Sequence, residues 1–221
     1  MLDKEYDWII SLGSNCTPAW NIRKQLKQPE AFPFDWWISD YYPTLSVLRS
    51  NFSNMFDNDE MLIVDNCSTV VSKRYWLKYH HDFPHKPGTG QVSEDFKSHL
   101  NAVRGKYDRR VQRLHDAMRS GSILFVRQGG VNSTQSYPDE EKLKNSHALY
   151  DMLVRLWPHA EFDLLVIEDN NLGNPVISMS NGRIAFDQFP PSSSKGHDWR
   201  EAEYAALWER QRISRIIPLQ P

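Results

Sequence analysis

The feature that most restricts this chain is one long apolar stripe. Val92, Phe96, Leu100, Val103, Tyr107, Val111, Leu114 and Met118 recur at steps of four, four, three, four, four, three and four. That is the period of a helix buried along one side. It predicts a helix over about 93–120, with Ser93 as N-cap, Glu94 and Asp95 at its positive end and Gly121 as its stop. Strand-like and helix-like runs alternate around it. Upstream, Asp7 to Leu12 reads as a buried strand, Gly13 to Cys16 as a small polar loop, and Thr17-Pro18 as a helix start with Ala19, Ile22 and Leu26 on one face. Tyr42, Leu45, Leu48 and Phe52 suggest a second helix, Met61 to Asp65 a strand, and Val70 to His81 reads either way. Downstream come the strand Ser122 to Arg127, a helix over Pro138 to Leu156, the strand Glu161 to Glu168, and a hairpin over Val176 to Phe186 turning at Asn181-Gly182. A last helix follows, with Asp198 and Glu201 resembling a capping box.

This alternation predicts an α/β fold: a mainly parallel, Rossmann-like sheet flanked by helices, with a C-terminal hairpin and helix. The 221 residues fit one domain, and segment 28–92 is a candidate inserted lobe. Hydrophobic residues at 40%, with eight Trp, supply a core and argue against disorder. Basic and acidic side chains nearly cancel, at 26 against 28, so no whole-molecule field draws nucleic acid or an anionic membrane. No apolar run approaches the roughly 18 residues of a membrane span, and the charged opening Met1 to Asp7 is unlike a secretory leader. Cys16 and Cys67 are too few for a disulfide framework, so a reducing cytoplasm is the expected setting. In that setting the triplets at Asn51, Asn66 and Asn132 carry no glycan. No cofactor is expected, because the Rossmann glycine triplet and the Walker Lys are both missing. No metal is expected either: His80, His81 and His85 lack partners at zinc-like spacing.

Ligands of open α/β sheets gather beyond the carboxyl ends of the strands. Reading each strand to its end yields Ser11, Gly13, Ser14, Asn15 and Cys16 from the first, Arg127 and Gln128 from the second, and Glu168 and Asp169 from the third. All should line one cleft. Cys16 at a helix N-terminus should be acidified by the dipole and serve as a nucleophile. The plainer reading makes it a small buried hydrophobe. The Gly13 loop could instead hold an anion through its backbone. His81 and its neighbours are candidate bases, with His197 beside Asp198 as a second candidate. Phe34-Asp35-Trp36-Trp37 reads as a core plug whose Asp35 caps a turn, or as an orienter and substrate wall. Arg104, Arg109, Arg110 and Arg113 lie off the apolar stripe, which usually means a solvated face.

Five motifs then occur in order: Ser11-Leu12-Gly13-Ser14-Asn15-Cys16 with Pro18-Ala19; Phe32-Pro33-Phe34-Asp35-Trp36; His81-Asp82-Phe83; Lys106-Tyr107-Asp108-Arg109-Arg110 with Arg113-Leu114; and Leu124-Phe125-Val126-Arg127. Together they resemble a bacterial family of uncharacterised domains described as "putative papain-like cysteine peptidases". The resemblance implies a Cys–His centre, with Cys16 and His81 matching the family residues. The sequence departs from papain itself, since it has no Cys-Gly-Ser-Cys-Trp signature and no matched third member. Similar proteins are also associated with surface-polysaccharide genes, which implies a glycan-related alternative.

Three readings follow. In the first, a thiol hydrolase or acyl-transfer enzyme uses Cys16 as nucleophile, His81 as base, Asp35 or Asp82 as orienter, and N–H groups near Asn15 and Cys16 for the oxyanion. In the second, a sugar- or phosphate-handling transferase binds an anion with the Gly13 loop and Arg127, with Glu168 on the same edge. The third is a non-catalytic binding module. The expected partner is a small-molecule, peptide or glycan substrate, without nucleic acid.

Overall fold

A computed structural model describes residues 1–129, 139–168, 175–190 and 199–216, with the backbone alone over 139–143. In chain order the elements begin β1 (Lys4–Tyr6), β2 (Trp8–Ser11), α1 (Thr17–Gln25), β3 (Trp37–Ile38), α2 (Tyr41–Arg49), β4 (Met61–Val64), β5 (Thr69–Ser72) and β6 (Lys78–Tyr79). They continue α3 (Leu100–Ser120), β7 (Ile123–Gln128), α4 (Asp139–Leu156), β8 (Phe162–Glu168), β9 (Val176–Met179), β10 (Gly182–Gln188), α5 (Glu201–Gln211) and β11 (Ile213–Arg215).

The fold is mixed α/β. Its main sheet has the order β2-β7-β8-β10-β9. The first four strands run parallel, and β9 closes the edge antiparallel to β10. Successive side chains of a strand point to opposite faces, and here both faces are apolar. Ile123, Phe125, Phe162, Leu164 and Val166 join one core cluster, with Tyr41, Val47 and Leu48 of α2, Tyr107 and Leu114 of α3, and Leu149 and Leu153 of α4. Their neighbours Leu124, Val126, Leu165 and Ile167 join the other, with Ile22 of α1 and Tyr204, Leu207 and Trp208 of α5. Two buried faces explain why these strands read as continuous hydrophobic runs rather than alternating ones.

A second, antiparallel sheet of order β3-β6-β5-β4 lies wholly within residues 37–79 and feeds Trp37, Val70 and Tyr79 into the first cluster. Outer strand β2 is covered in an unusual way. Buried Gln28 donates from Nε2 to the Ile9 carbonyl at 2.8 Å and accepts the Ile9 N–H on Oε1 at 3.0 Å. The hairpin expected at Asn181-Gly182 forms, and there a Cβ on Gly182 would lie 1.8 Å from the Phe162 carbonyl oxygen, so only glycine fits.

Three expectations need correction. The long helix begins at Leu100 rather than Ser93, after a 3-10 turn over Phe96–His99. Ser93 hydrogen-bonds the Asp95 carboxylate instead of capping. In α2 the buried face is Tyr41, Thr44, Val47 and Leu48, while Tyr42 points out at 70% exposure. The Tyr41 ring takes the buried position because it packs beneath the Arg127 guanidinium, 4.6 Å from the ring centre. Finally, the N-cap of α5 is Arg200, in a left-handed conformation without a side-chain cap. Asp198 lies outside the described residues.

Candidate functional site

Parallel pairing of β2, β7, β8 and β10 puts their carboxyl ends along one edge. The chain does not leave the sheet cleanly after β2. Leu12 N–H donates to Val126 O, Gln128 N–H to Gly13 O, and Ser14 N–H to Gln128 O, so the loop runs on beside β7. Ser14 O then accepts from Ser39 N–H at 2.8 Å. Ser11, Gly13 and Ser14 are all buried. Gly13 holds φ +86°, and a Cβ there would come within 3.0 Å of Ser39 Oγ and 3.2 Å of Arg127 Nη1. The loop is therefore packed solid on the Arg127 side.

Arg127 is fully buried and is a structural knot. Its Nη1 donates to Leu12 O at 2.6 Å and Thr44 Oγ1 at 3.1 Å, its Nη2 to Ser39 O at 2.9 Å, and its Nε to Gly129 O at 3.2 Å. Buried Glu168 comes to the same place: its Oε2 would be 3.6 Å from a Cβ on Gly129, and it faces Tyr41 together with Arg127. Burial, and then Glu168, push the Tyr41 hydroxyl up to about 12, against the pull of Arg127.

Asn15 and Cys16 follow. Asn15 Oδ1 accepts the Thr17 N–H at 2.8 Å, which caps the turn that opens α1. Cys16 is the N-cap, with helical φ and ψ, and its carbonyl accepts from Trp20 N–H. It is 9% exposed and belongs to neither apolar cluster. The expected acidification does not hold. Burial pushes the Cys16 thiol up, with only a weaker opposing backbone hydrogen bond. Removing a thiolate from water costs more here than one helix end returns.

Past Cys16, α1 is fastened to the start of α5. Buried Asn21 donates to Thr17 O and to Trp199 O, Gln25 donates to Glu201 O, and Lys24 pairs with Glu201 at 2.7 Å. Trp20 stacks on Trp199 with ring centres 4.6 Å apart, and its Nε1 donates to Glu201. Sequence reasoning missed this contact. The four-residue step from Cys16 to Trp20 was its only trace.

The remaining candidates lie further along α1 or on α3. Arg23, seven residues from Cys16 and so about 10 Å along the helix, sits over the Trp36 ring and pairs with Asp35 at 3.4 Å. The exposed His81 ring meets Trp36 edge-on, with centres 6.0 Å apart. Asp35 does cap a turn: its Oδ2 accepts the Phe32 N–H at 2.9 Å. Burial pushes its carboxyl up to about 6, against that hydrogen bond, Arg23 and Arg110. Asp82 accepts from Lys106 Nζ and from Tyr107 hydroxyl, and Tyr107 stacks on Trp37. Two of the sequence motifs thus meet at Tyr107, beside the Trp37 that follows a third. His80 faces Thr69 Oγ1, and His85 faces Ser68 O. On α3, Arg104 donates to Phe56 O and Arg113 to Ala31 O, so these two tie loops to the helix rather than face solvent alone. Asp169, His197 and Asp198 lie outside the described residues.

Among the described residues no group of three or more His, Cys, Asp or Glu is placed to hold a metal, and no helix is long and apolar enough to cross a membrane. Cys16 and Cys67 are not in disulfides.

Comparison with known proteins adds three findings. The chain is 25% identical over 167 residues to "Uncharacterized protein R408" of Acanthamoeba polyphaga mimivirus, covering 66% of this chain and 70% of that protein. No solved structure matches. The pattern of one family fits residues 7–149, a span that holds Cys16, the Trp36 loop, His81, the Tyr107 motif and Arg127. On that match the chain belongs to the family described as "Putative papain-like cysteine peptidase (DUF1796)".

Proposed function

We propose that this protein is a thiol hydrolase or acyl-transfer enzyme with Cys16 as its nucleophile. The observation that carries the reading is the position of Cys16. It caps a helix at the carboxyl edge of the main sheet, at the rim of burial and outside both apolar clusters. A thiol at a helix start beyond the strand ends stands where open α/β sheets gather their ligands.

The chemistry is base-assisted. Burial keeps the resting thiol protonated, so attack on a carbonyl needs a base to take the proton as the sulfur–carbon bond forms. The leaving group departs with that proton. Water, or another acceptor, then cleaves the thioester and restores the thiol. In this reading backbone N–H groups near Asn15 and Cys16 hold the oxyanion. His81 is the base implied by the family resemblance. His197, the second candidate base of the sequence, lies outside the described residues and is the comparison residue.

The transferase alternative draws less support. Its anion would need Arg127, whose guanidinium holds four protein oxygens. The same reading takes the main sheet as Rossmann-like, segment 28–92 as an inserted lobe, and the cytoplasm as the setting in which both thiols stay reduced.

The test is alkylation of Cys16 by iodoacetamide, in a Cys67→Ser background, followed from neutral to alkaline pH. The midpoint should lie above that of an ordinary thiol, roughly 8.5. At neutral pH, His81→Ala should slow alkylation severalfold and His80→Ala should not. Loss of rate in His197→Ala alone would move the base to that residue. Neutral-pH rates that ignore both changes would remove the Cys–His mechanism.

A further inference from the structure

Trp20 lies one helical turn past Cys16, and the mechanism has no use for it. It follows Cys16 by four positions in continuous helical backbone, and its N–H donates to the Cys16 carbonyl at 3.0 Å. Residues four apart share a helix face, so the indole stands one turn above the thiol on the same side of α1. It is only half-buried, as is Trp199, although the two rings stack at 4.6 Å and 26°.

The pair is held at four points. Trp20 Nε1 donates to Glu201 Oε1 at 3.3 Å, and Lys24 fixes that carboxylate at 2.7 Å. Asn21, with no exposed surface, donates to Trp199 O at 2.7 Å, and Gln25 holds Asn21 Oδ1. Two half-open tryptophans fixed in this way are costly as mere surface, because exposed aromatic area is what folding normally removes. One turn from a buried thiol they form a wall.

We infer that the Trp20–Trp199 stack is the specificity wall of the Cys16 site and selects acyl substrates that carry a flat, apolar-faced ring next to the reacting carbonyl. This rests on Cys16 being the nucleophile. The wall acts by stacking: a ring laid on the open part of the indoles gains an aromatic contact, and a ringless substrate does not. Neither indole takes part in proton transfer. Trp20 and Trp199 therefore set which electrophile is favoured, while the base sets how fast any thiol attack proceeds.

The test compares two reagents with the same reactive group, N-phenylmaleimide and N-methylmaleimide, on Cys16 in the full chain with Cys67→Ser. The readout is the phenyl-to-methyl rate ratio, divided by that of a small thiol in solution. The native wall should raise this normalised ratio by about three- to tenfold. Trp20→Leu should return it to one, Trp20→Phe should keep part of the preference, and Trp199→Leu should lower it. Unfolding curves identify any variant that fails to fold, and the remaining variants then decide. A reactive Cys16 with no phenyl preference, or a preference that survives both Leu variants, overturns the wall and leaves the nucleophile standing. Failure of both maleimides to react in the folded protein overturns the nucleophile and the wall together.

Discussion

Gly13 and Cys16 are three residues apart and could hardly be treated more differently. Around Gly13 the packing is tight: Arg127 binds the Leu12 and Ser39 carbonyls, the Ser14 backbone is bonded in two directions, and a Cβ would crowd Ser39 Oγ and Arg127 Nη1. Around Cys16 the burial is less complete on one side. The thiol reaches the edge of burial, and the next large side chain on its helix face, Trp20, is half open. The contrast teaches that the loop contains two parts with separate duties. Its first half is a rigid mount joined to β7 and to the Ser39–Thr44 segment, and its second half is what the mount presents. Precise placement of a reacting group requires such a supporting shell.

Three perturbations would break or sharpen this division. The largest effect should come from Arg127→Met. It leaves the carbonyls of Leu12, Ser39 and Gly129 without their buried donor, which should cost about 3–5 kcal/mol in urea unfolding. A loss below about 1 kcal/mol would mean that the mount is not where the stability lies.

The second concerns Asp35, where burial again outweighs helpful partners. Its folded carboxyl titrates near 6, against about 3.9 in the unfolded chain. Between these values the folded state binds more protons than the unfolded one, so its contribution to stability falls as pH rises from about 4 to about 6. Asp35→Asn cannot ionise. Its stability relative to the parent should therefore increase between pH 4 and pH 7, by on the order of 2 kcal/mol. Equal pH slopes in the two proteins would show that Asp35 stays ionised throughout.

The smallest effect should be Cys16→Ala. If Cys16 is presented rather than packed, unfolding should change by less than about 1 kcal/mol, while Cys16 labelling and any thiol-dependent hydrolysis disappear. A cost of 3 kcal/mol or more, as in a true core deletion, would place Cys16 with the mount.

The sequence carried the frame well where burial is two-sided and turn chemistry is local. Ser122 to Arg127 and Glu161 to Glu168 read as strands because each holds a continuous run of four apolar residues, and the hairpin at Asn181-Gly182 forms where only glycine tolerates the approach to Phe162. It misled where one pattern serves two elements. The apolar stripe through Val92 and Phe96 runs unbroken into α3, yet those residues lie before the helix in an irregular segment and a 3-10 turn. At the site, the strand–loop–helix mount of Cys16 was legible, but the charge state of its thiol was not. Desolvation depends on everything packed around a group, and no local spacing reports it. Arg127 shows the same limit from the other side. A polar residue ending a strand looks like a ligand donor until its partners, up to 115 positions away, are known to be backbone carbonyls.

Gln28 has a consequence outside the site altogether. An outermost strand ordinarily offers its bare N–H and C=O groups to any passing chain, and that is how sheets from different molecules join into aggregates. At Ile9 both groups are already taken by one side-chain amide, which imitates a strand of a single residue. This plug keeps the β2 side of the sheet from being extended at that point, whereas the opposite outer strand, β9, has Val176 and Ser178 exposed. A single side chain thus guards one point of an outer strand, and the strand it guards is the one that leads to Cys16.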